Sequence, residues 1–202
     1  MRKCAILLCE ISYFTSIPIK KAGSFMTSVQ TLSNNTATKQ LCLTALFAAL
    51  VCAGTFVAVP LPIGYFNLGD IFVLCGAWLL GPIFGASAAA VGSALADVIM
   101  GYVAYAPATF VIKGCIALAA SLLFPVLLKL CKKDTPARLL SSIAGEAIMV
   151  GGYFLYESVF LRLGMGAAAS LPGNTLQAVC GIIGANLLVR ILMANKTIRK
   201  YF

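Results

Sequence analysis

The sequence predicts an all-α integral membrane bundle of six transmembrane helices, with both termini in the cytoplasm. Three observations predict it. Of the 202 residues, 61% are hydrophobic and only 10% charged, and mean hydropathy is +0.98. A soluble domain is about 45–50% apolar and about 25% charged, so this chain has too little charge to cover a surface facing water. The apolar residues fall into several long runs, whereas a signal peptide on a secreted domain would contribute one. Most of the lysines and arginines, finally, collect at run ends in a pattern that alternates with each crossing.

The first forty residues read as a cytoplasmic tail. Arg2 and Lys3 precede a short apolar stretch, Cys4 to Cys9, which Glu10 interrupts; that is too short for a span or a signal core. Polar residues dominate from Thr27 to Gln40, and a natural start at Met26 is an alternative reading. The first span runs from Leu41 to about Val59 and ends at Pro60 and Pro62. The second apolar block, Leu68 to Leu80, stops at Gly81-Pro82 and falls short of the ~20 helical residues that a bilayer core needs. The third runs from about Ile83 to Gly101, the fourth from Pro107 to near Lys129, the fifth from Leu139 to about Val159, and the sixth from Leu171 to Leu192. Six spans is the favoured count, and five plus a broken segment is its rival.

Charge placement sets the orientation. Lys196, Arg199 and Lys200 follow the last run, in a basic tail over 196–202, and Arg190 stands in that run's final turns. Lys129, Lys132, Lys133 and Arg138 flank the connection between spans four and five, against Asp134 alone. The opposite side offers Arg162, with Asp70 and Glu157 near membrane ends. Cytoplasmic loops carry the lysine and arginine excess, so the termini and the Lys132 loop face inward. The loops near Pro60–Phe66, Tyr102–Ala106 and Arg162–Ser170 then face outward. The net charge of +9 is mostly topology charge with a contribution from anionic lipid, which argues against nucleic acid as a partner.

Several chemistries are excluded. The chain has no histidine, which removes imidazole acid–base catalysis and His-containing metal sites. Its eight cysteines include no CxxC, and in apolar runs they read as small hydrophobes. No HExxH, GxSxG or Walker A sequence is present. The expectation is a binding protein, not an enzyme, with no cofactor and no metal.

Two stretches are rich in small residues. Ala45, Ala49 and Ala53 recur every four residues on span one, forming a narrow flat stripe that lets another helix approach closely in lipid. Internal packing and a separate membrane partner both fit it. Span three is small nearly all round, from Gly85 to Ala94, and reads as a central helix.

Ionisable groups inside apolar spans are costly and face a bundle interior, a partner or a cavity. Asp97 and Lys113 lie on either side of a short outer connection, each roughly 6–9 Å below the outer surface at 1.5 Å per residue. They are expected to pair, or to line an outward-opening pocket. Lys113 is the sharper candidate, because its ammonium suits a ligand carboxylate, phosphate or carbonyl. Glu146, Val150, Tyr153 and Glu157 share a helical face on span five, and Asn174, Gln177, Gly181 and Gly184 recur on span six. Two polar stripes suggest opposite walls of a cavity; interhelical hydrogen bonding is the alternative. Asn67 and Asp70 look like a helix cap and its first turn. The loop before them places Tyr65 and Phe66 where they could meet a planar ligand. Tyr105 stands in the next outer loop, where aromatics also serve as interfacial anchors.

Several of these segments together carry a family resemblance. They are Gly64-Tyr65-Phe66-Asn67-Leu68-Gly69-Asp70, Gly81-Pro82-Ile83-Phe84-Gly85, Gly92-Ser93-Ala94-Leu95-Ala96-Asp97, Tyr105-Ala106-Pro107-Ala108-Thr109 and Ile112-Lys113-Gly114. From Leu41 to Leu192 the chain resembles a substrate-binding S component of an energy-coupling factor (ECF) vitamin transporter, of the riboflavin-type or a related branch. The resemblance implies a six-helix bundle in a bacterial plasma membrane, binding a small water-soluble vitamin or precursor from outside. Tyr65, Asn67, Asp70, Asp97, Tyr105, Lys113, Glu146, Tyr153, Asn174 and Gln177 are then the candidate ligand-binding residues. It also implies docking through the stripe of Ala45, Ala49 and Ala53 on a membrane coupling subunit that works with two cytoplasmic ATPases. Riboflavin, pyridoxine-like compounds and thiamine precursors all fit such a pocket. A stand-alone secondary transporter and a non-transporting membrane assembly protein are the alternatives.

Overall fold

The computed structural model describes residues 22–60 and 65–196, with side chains over 37–59 and 66–196. The chain divides into two units, 1–39 and 40–202. The described part of the first is helical backbone from Ala22; all that follows concerns the second. The expected tail therefore lies mostly outside the residues whose side chains are described, as do Arg199 and Lys200 of the basic C-terminal tail.

Helix α1 is Ala22–Phe56, whose apolar part is Ala37–Phe56. A two-stranded antiparallel hairpin follows, β1 (Ala58–Pro60) and β2 (Tyr65–Asn67), pairing Ala58 with Asn67 and Val59 with Phe66. Then come α2 (Gly69–Leu80), α3 (Pro82–Ile99), α4 (Ala106–Cys131), α5 (Asp134–Leu155) and α6 (Leu171–Ala194). A π-helical turn, Tyr156–Phe160, and a 3-10 helix, Gly164–Ser170, join α5 to α6. The hairpin departs from a purely helical expectation. It pairs the two flanks of the Pro-containing loop and so fixes where Asn67 sits.

The sequence punctuates these elements. Proline stands in the first turn of α3, α4 and α6, where its missing N–H costs nothing. Gly81, at φ 80°, makes the sharp turn between α2 and α3, a backbone conformation that glycine adopts without strain. Among the described residues five helices are long and apolar enough to cross a membrane. The twelve-residue α2 is the exception; at 1.5 Å per residue it reaches about 18 Å, against a bilayer core of about 30 Å.

The distribution of side chains suits lipid. Leu41, Ile83, Val111, Val126, Ile183 and Leu187 point outward, while Asp70, Asp97, Lys113, Glu146, Glu157 and Gln177 are buried. Such a surface is stable in hydrocarbon and not in water. The apolar core brings together Phe47 and Val51 of α1, Val73 and Leu74 of α2, Ala88 and Ala89 of α3, Ile116 and Ala117 of α4, and Met149 of α5. Helix α2 packs against α3, α4 and α6, and α5 packs against α4 and α6. This arrangement puts the short helix at the centre of the polar residues.

Helix α3 is small-sided because its neighbours come close. A Cβ on Gly92 would lie 2.4 Å from the Ala48 carbonyl oxygen and 3.0 Å from Val51 Cβ. Gly92→Val should therefore push α1 and α3 apart. Overpacking of this kind costs about 1–3 kcal/mol or more, so the apparent Tm in detergent should fall by several degrees. A Tm equal to the parent's would show that the two helices are free to separate at that point.

Candidate functional site: a buried polar cavity

The hairpin, α1 and α3–α6 wall a partly open cavity with about 410 Å³ of space, open solvent at its mouth included. Its wall is formed by Thr55, Asn67, Ser93, Asp97, Tyr105, Thr109, Lys113, Tyr153, Glu157, Asn174 and Gln177. Each of α1 and α3–α6 contributes at least one side chain. A polar wall of this kind inside an apolar bundle is expensive unless its groups find partners, and most of these do.

Lys113 is the hub. Its ammonium, 3% exposed, makes an ion pair with Asp70 of α2, which is fully buried. The same nitrogen lies 3.4 Å from Met149 Sδ and 5.7 Å from the centre of the Tyr153 ring. Gln177 Nε2 donates to the other Asp70 oxygen at 2.6 Å. The Gln177 carbonyl accepts from the Asn67 backbone N–H at 2.9 Å and from Asn67 Nδ2 at 3.2 Å. Asn67 Oδ1 in turn accepts from the Gly69 N–H at 2.8 Å. One continuous network thus ties α4, α2, α6 and the hairpin together. Breaking a buried pair of this kind by removing one partner costs about 3–5 kcal/mol, because the other charge is stranded.

The loop end of the cavity has its own set of bonds. Tyr153 O–H donates to Thr109 Oγ1 at 3.0 Å. Glu157, in the π-helical turn, accepts a long bond from Tyr105 O–H at 3.4 Å and a short one from Ser170 O–H at 2.5 Å. Burial pushes the Tyr105 phenol up to about 12, helped by the neighbouring Glu157 charge, so this hydroxyl remains a donor at neutral pH. Tyr105 also packs edge-on against Tyr156, ring centres 5.8 Å apart.

Seven of the ten residues singled out as ligand candidates line this one cavity: Asn67, Asp97, Tyr105, Lys113, Tyr153, Asn174 and Gln177. Asp70 lies directly behind the wall, holding Lys113 and Gln177. Glu146 is buried but off the wall. Among the described residues nothing donates to either of its oxygens, and a Cβ on Gly181 would lie 3.3 Å from its Oε1 and 2.9 Å from Asp70 Cβ. Tyr65 contributes its backbone to β2, and its side chain lies outside the described residues.

One expectation needs correction. The ion pair of Lys113 is with Asp70, not Asp97. The close packing of α2 on α4 brings in a carboxylate 43 residues away in sequence in place of the one across the short connection. Asp70 does stand in the first turn of α2, as its spacing from Asn67 suggests, and its carboxylate is a fully buried counter-ion. Thr55, Ser93 and Thr109 carry no expectation from the sequence, and Glu157 figures there only as a member of the span-five polar stripe, yet all four line the cavity. Thr55 satisfies its own hydroxyl through the Val51 carbonyl, 2.8 Å away, as threonines do throughout helices, so its sequence position carries no signal.

The fold and the cavity define a multi-pass membrane protein, a helical bundle with a polar cavity inside it. A family model described as "ECF-type riboflavin transporter, S component" matches residues 35–194, and the chain belongs to that family. S components are membrane substrate-binding subunits of ECF transporters and pair with a membrane coupling subunit and ATPases; theirs is a transporter family, not an enzyme family. The chain is 39% identical over 140 residues to a Pyrococcus woesei protein described as "Uncharacterized protein in gap 3'region", a match covering 67% of this chain and 88% of that one. Its fold is similar to a solved structure described as "Structure and mechanism of the S component of a bacterial ECF transporter". The TM-score is 0.64 at 21% identity, over 78% of this chain and 97% of the other.

Proposed function

We propose that this chain captures a flavin-like vitamin, riboflavin first among the candidates, from outside the cell membrane and delivers it to an ATP-driven ECF module. The observation that carries the reading is the Lys113–Asp70–Gln177–Asn67 network at the wall of the cavity. It presents fixed donors and acceptors to a ligand with several hydrogen-bonding groups, and Tyr105 and Tyr153 offer ring faces for a flat heterocycle. The family's own description supports riboflavin within that class. In this reading the protein binds and does no chemistry, both termini face the cytoplasm, and the reorientation work is supplied by ATP hydrolysis in the partner subunits.

Exposure supports the docking face read from the sequence. Ala45, Ala49 and Ala53 are all exposed on α1, whereas Phe47, Val51 and Cys52 face the bundle. The small stripe is therefore available to a partner helix, as close helix packing in lipid requires.

Titration of the detergent-purified chain with riboflavin, read by flavin fluorescence, tests the binding half. Saturation at about one ligand per chain is the expected outcome. Uptake by cells tests the coupling half. It should require the partner ATPases, and uptake that persists without them would point to a stand-alone secondary transporter.

A further inference from the structure

We propose that the cavity selects its ligand by charge, with Glu157 as the specificity-determining residue, so that it takes the unphosphorylated vitamin and excludes the phosphorylated form. The inference rests on the reading that the cavity binds a flavin.

The distribution of charge carries it. The chain has only six acidic residues. Asp97 and Glu157 stand on the cavity wall, Asp70 lies immediately behind it, and Glu146 lies beside Asp70 across Gly181. Among the described residues the wall holds a single cation, Lys113, and that charge is already committed to Asp70. Arginine, the residue best suited to clasp a phosphate, is not among the described wall residues. A phosphate monoester carries about −1.5 to −2 charge at neutral pH and demands several strong donors. Wherever it lay in this cavity, it would meet carboxylates and find no uncommitted cation. A wall built this way rejects a competitor by repulsion as well as by missing contacts.

Glu157 is the wall carboxylate assigned to the sugar-alcohol end of the ligand. The π-helical turn puts it there: Leu161 N–H bonds back five residues to the Tyr156 carbonyl at 3.1 Å. π-turns are rare and recur at functional sites. Here the turn accompanies a carboxylate that is 2% exposed and faces the cavity. Ser170 and Tyr105, from the segments before α6 and α4, each donate to one of its oxygens. Those two donors hold the carboxylate in place, leaving lone pairs for ligand hydroxyl groups. A sugar-alcohol chain supplies such hydroxyls, and phosphorylation replaces the terminal one with a doubly charged group that supplies none.

The test uses the full chain in detergent, titrated with riboflavin, with riboflavin 5′-phosphate, and with an uncharged 5′-ester of riboflavin as a control for bulk. The parent protein should bind riboflavin at least about a hundredfold more tightly than the phosphate, the scale of like-charge juxtaposition in a desolvated site. The neutral ester should bind much closer to riboflavin than the phosphate does. Glu157→Gln, which keeps the shape and removes the charge, should narrow the riboflavin-to-phosphate gap by about tenfold or more. Binding of the phosphate within about threefold of riboflavin would overturn the proposal. So would rejection of the neutral ester as strongly as the phosphate, or a gap that E157Q leaves unchanged. If the folded protein binds riboflavin, the phosphate and the ester not at all, it is the flavin reading itself that fails. The ester comparison needs no variant, so the proposal stands or falls even if E157Q does not fold.

Discussion

Replacing Lys113 with methionine should weaken ligand binding and destabilise the protein at the same time. Among the described residues the ammonium is the only cation on the cavity wall and the only one paired with Asp70. Methionine keeps the length and the apolar stem but leaves Asp70 fully buried, with Gln177 as its one remaining bonded side chain. A stranded buried charge costs about 3–5 kcal/mol, which should appear as a clear fall in apparent Tm. Loss of the donor capacity that the Asp70-paired ammonium keeps at the cavity wall should weaken binding by about tenfold or more. The double variant K113M/D70N separates the two effects. With neither charge present, stability should largely return, because the buried penalty is gone. Binding should not return, because the donor that faces the cavity is still missing. Recovery of binding in the double variant would mean that Lys113 acts only as a structural counter-ion to Asp70. Retention of full stability in K113M would mean that Asp70 is not held by this pair.

Replacing Ala49 with tryptophan should do the reverse. Ala49 is the middle member of the exposed stripe on α1, and its side chain does not take part in the packing of Phe47 and Val51 against α2 and α3. Close helix association in lipid depends on small side chains that let backbones approach. An indole at that point should hold a partner helix off and abolish co-purification with the coupling subunit. ATP-dependent uptake should fall to background while riboflavin titration of the isolated chain stays within about threefold of the parent, since an exposed substitution remote from the cavity perturbs stability little. A loss of binding by the isolated chain would place Ala49 in the bundle's own packing. Normal complex formation and uptake would mean that the partner docks on another face. The two variants thus divide the molecule into a capture surface and a docking surface.

Much of this architecture was legible in the sequence, for identifiable reasons. Apolar runs bounded by Pro60, Gly81-Pro82 and Pro107 mark where helices stop and start, and α3, α4 and α6 begin within a residue or two of those expectations. The polar stripe of Asn174 and Gln177 was readable because helical spacing alone puts both on one face; both reach the cavity wall. Glu146 shares a face with Tyr153 but stands seven residues away, about 10 Å along the axis, and depth along a helix decides which member of a stripe meets the cavity. The partner of Lys113 was not readable. Sequence nearness favoured Asp97, whereas the choice of Asp70 depends on how α2 packs against α4 and α6, a tertiary fact. Glu157 was visible on the α5 stripe that suggested a cavity wall, and also as a charge near a membrane end, but its spacing alone did not mark it as a ligand candidate. Its burial follows from the π-turn and from Ser170 and Tyr105 closing over it, and no periodicity of 3.6 announces a five-residue turn.

Identification of the molecules released from the gently purified protein, by mass spectrometry, tests the central claim most directly. The chain should yield one predominant vitamin-class compound, a flavin on the present reading, and should rebind it at about one per chain. A folded protein that releases nothing, and binds no member of a broad vitamin panel on titration, would contradict the account and return the buried network to a purely structural role.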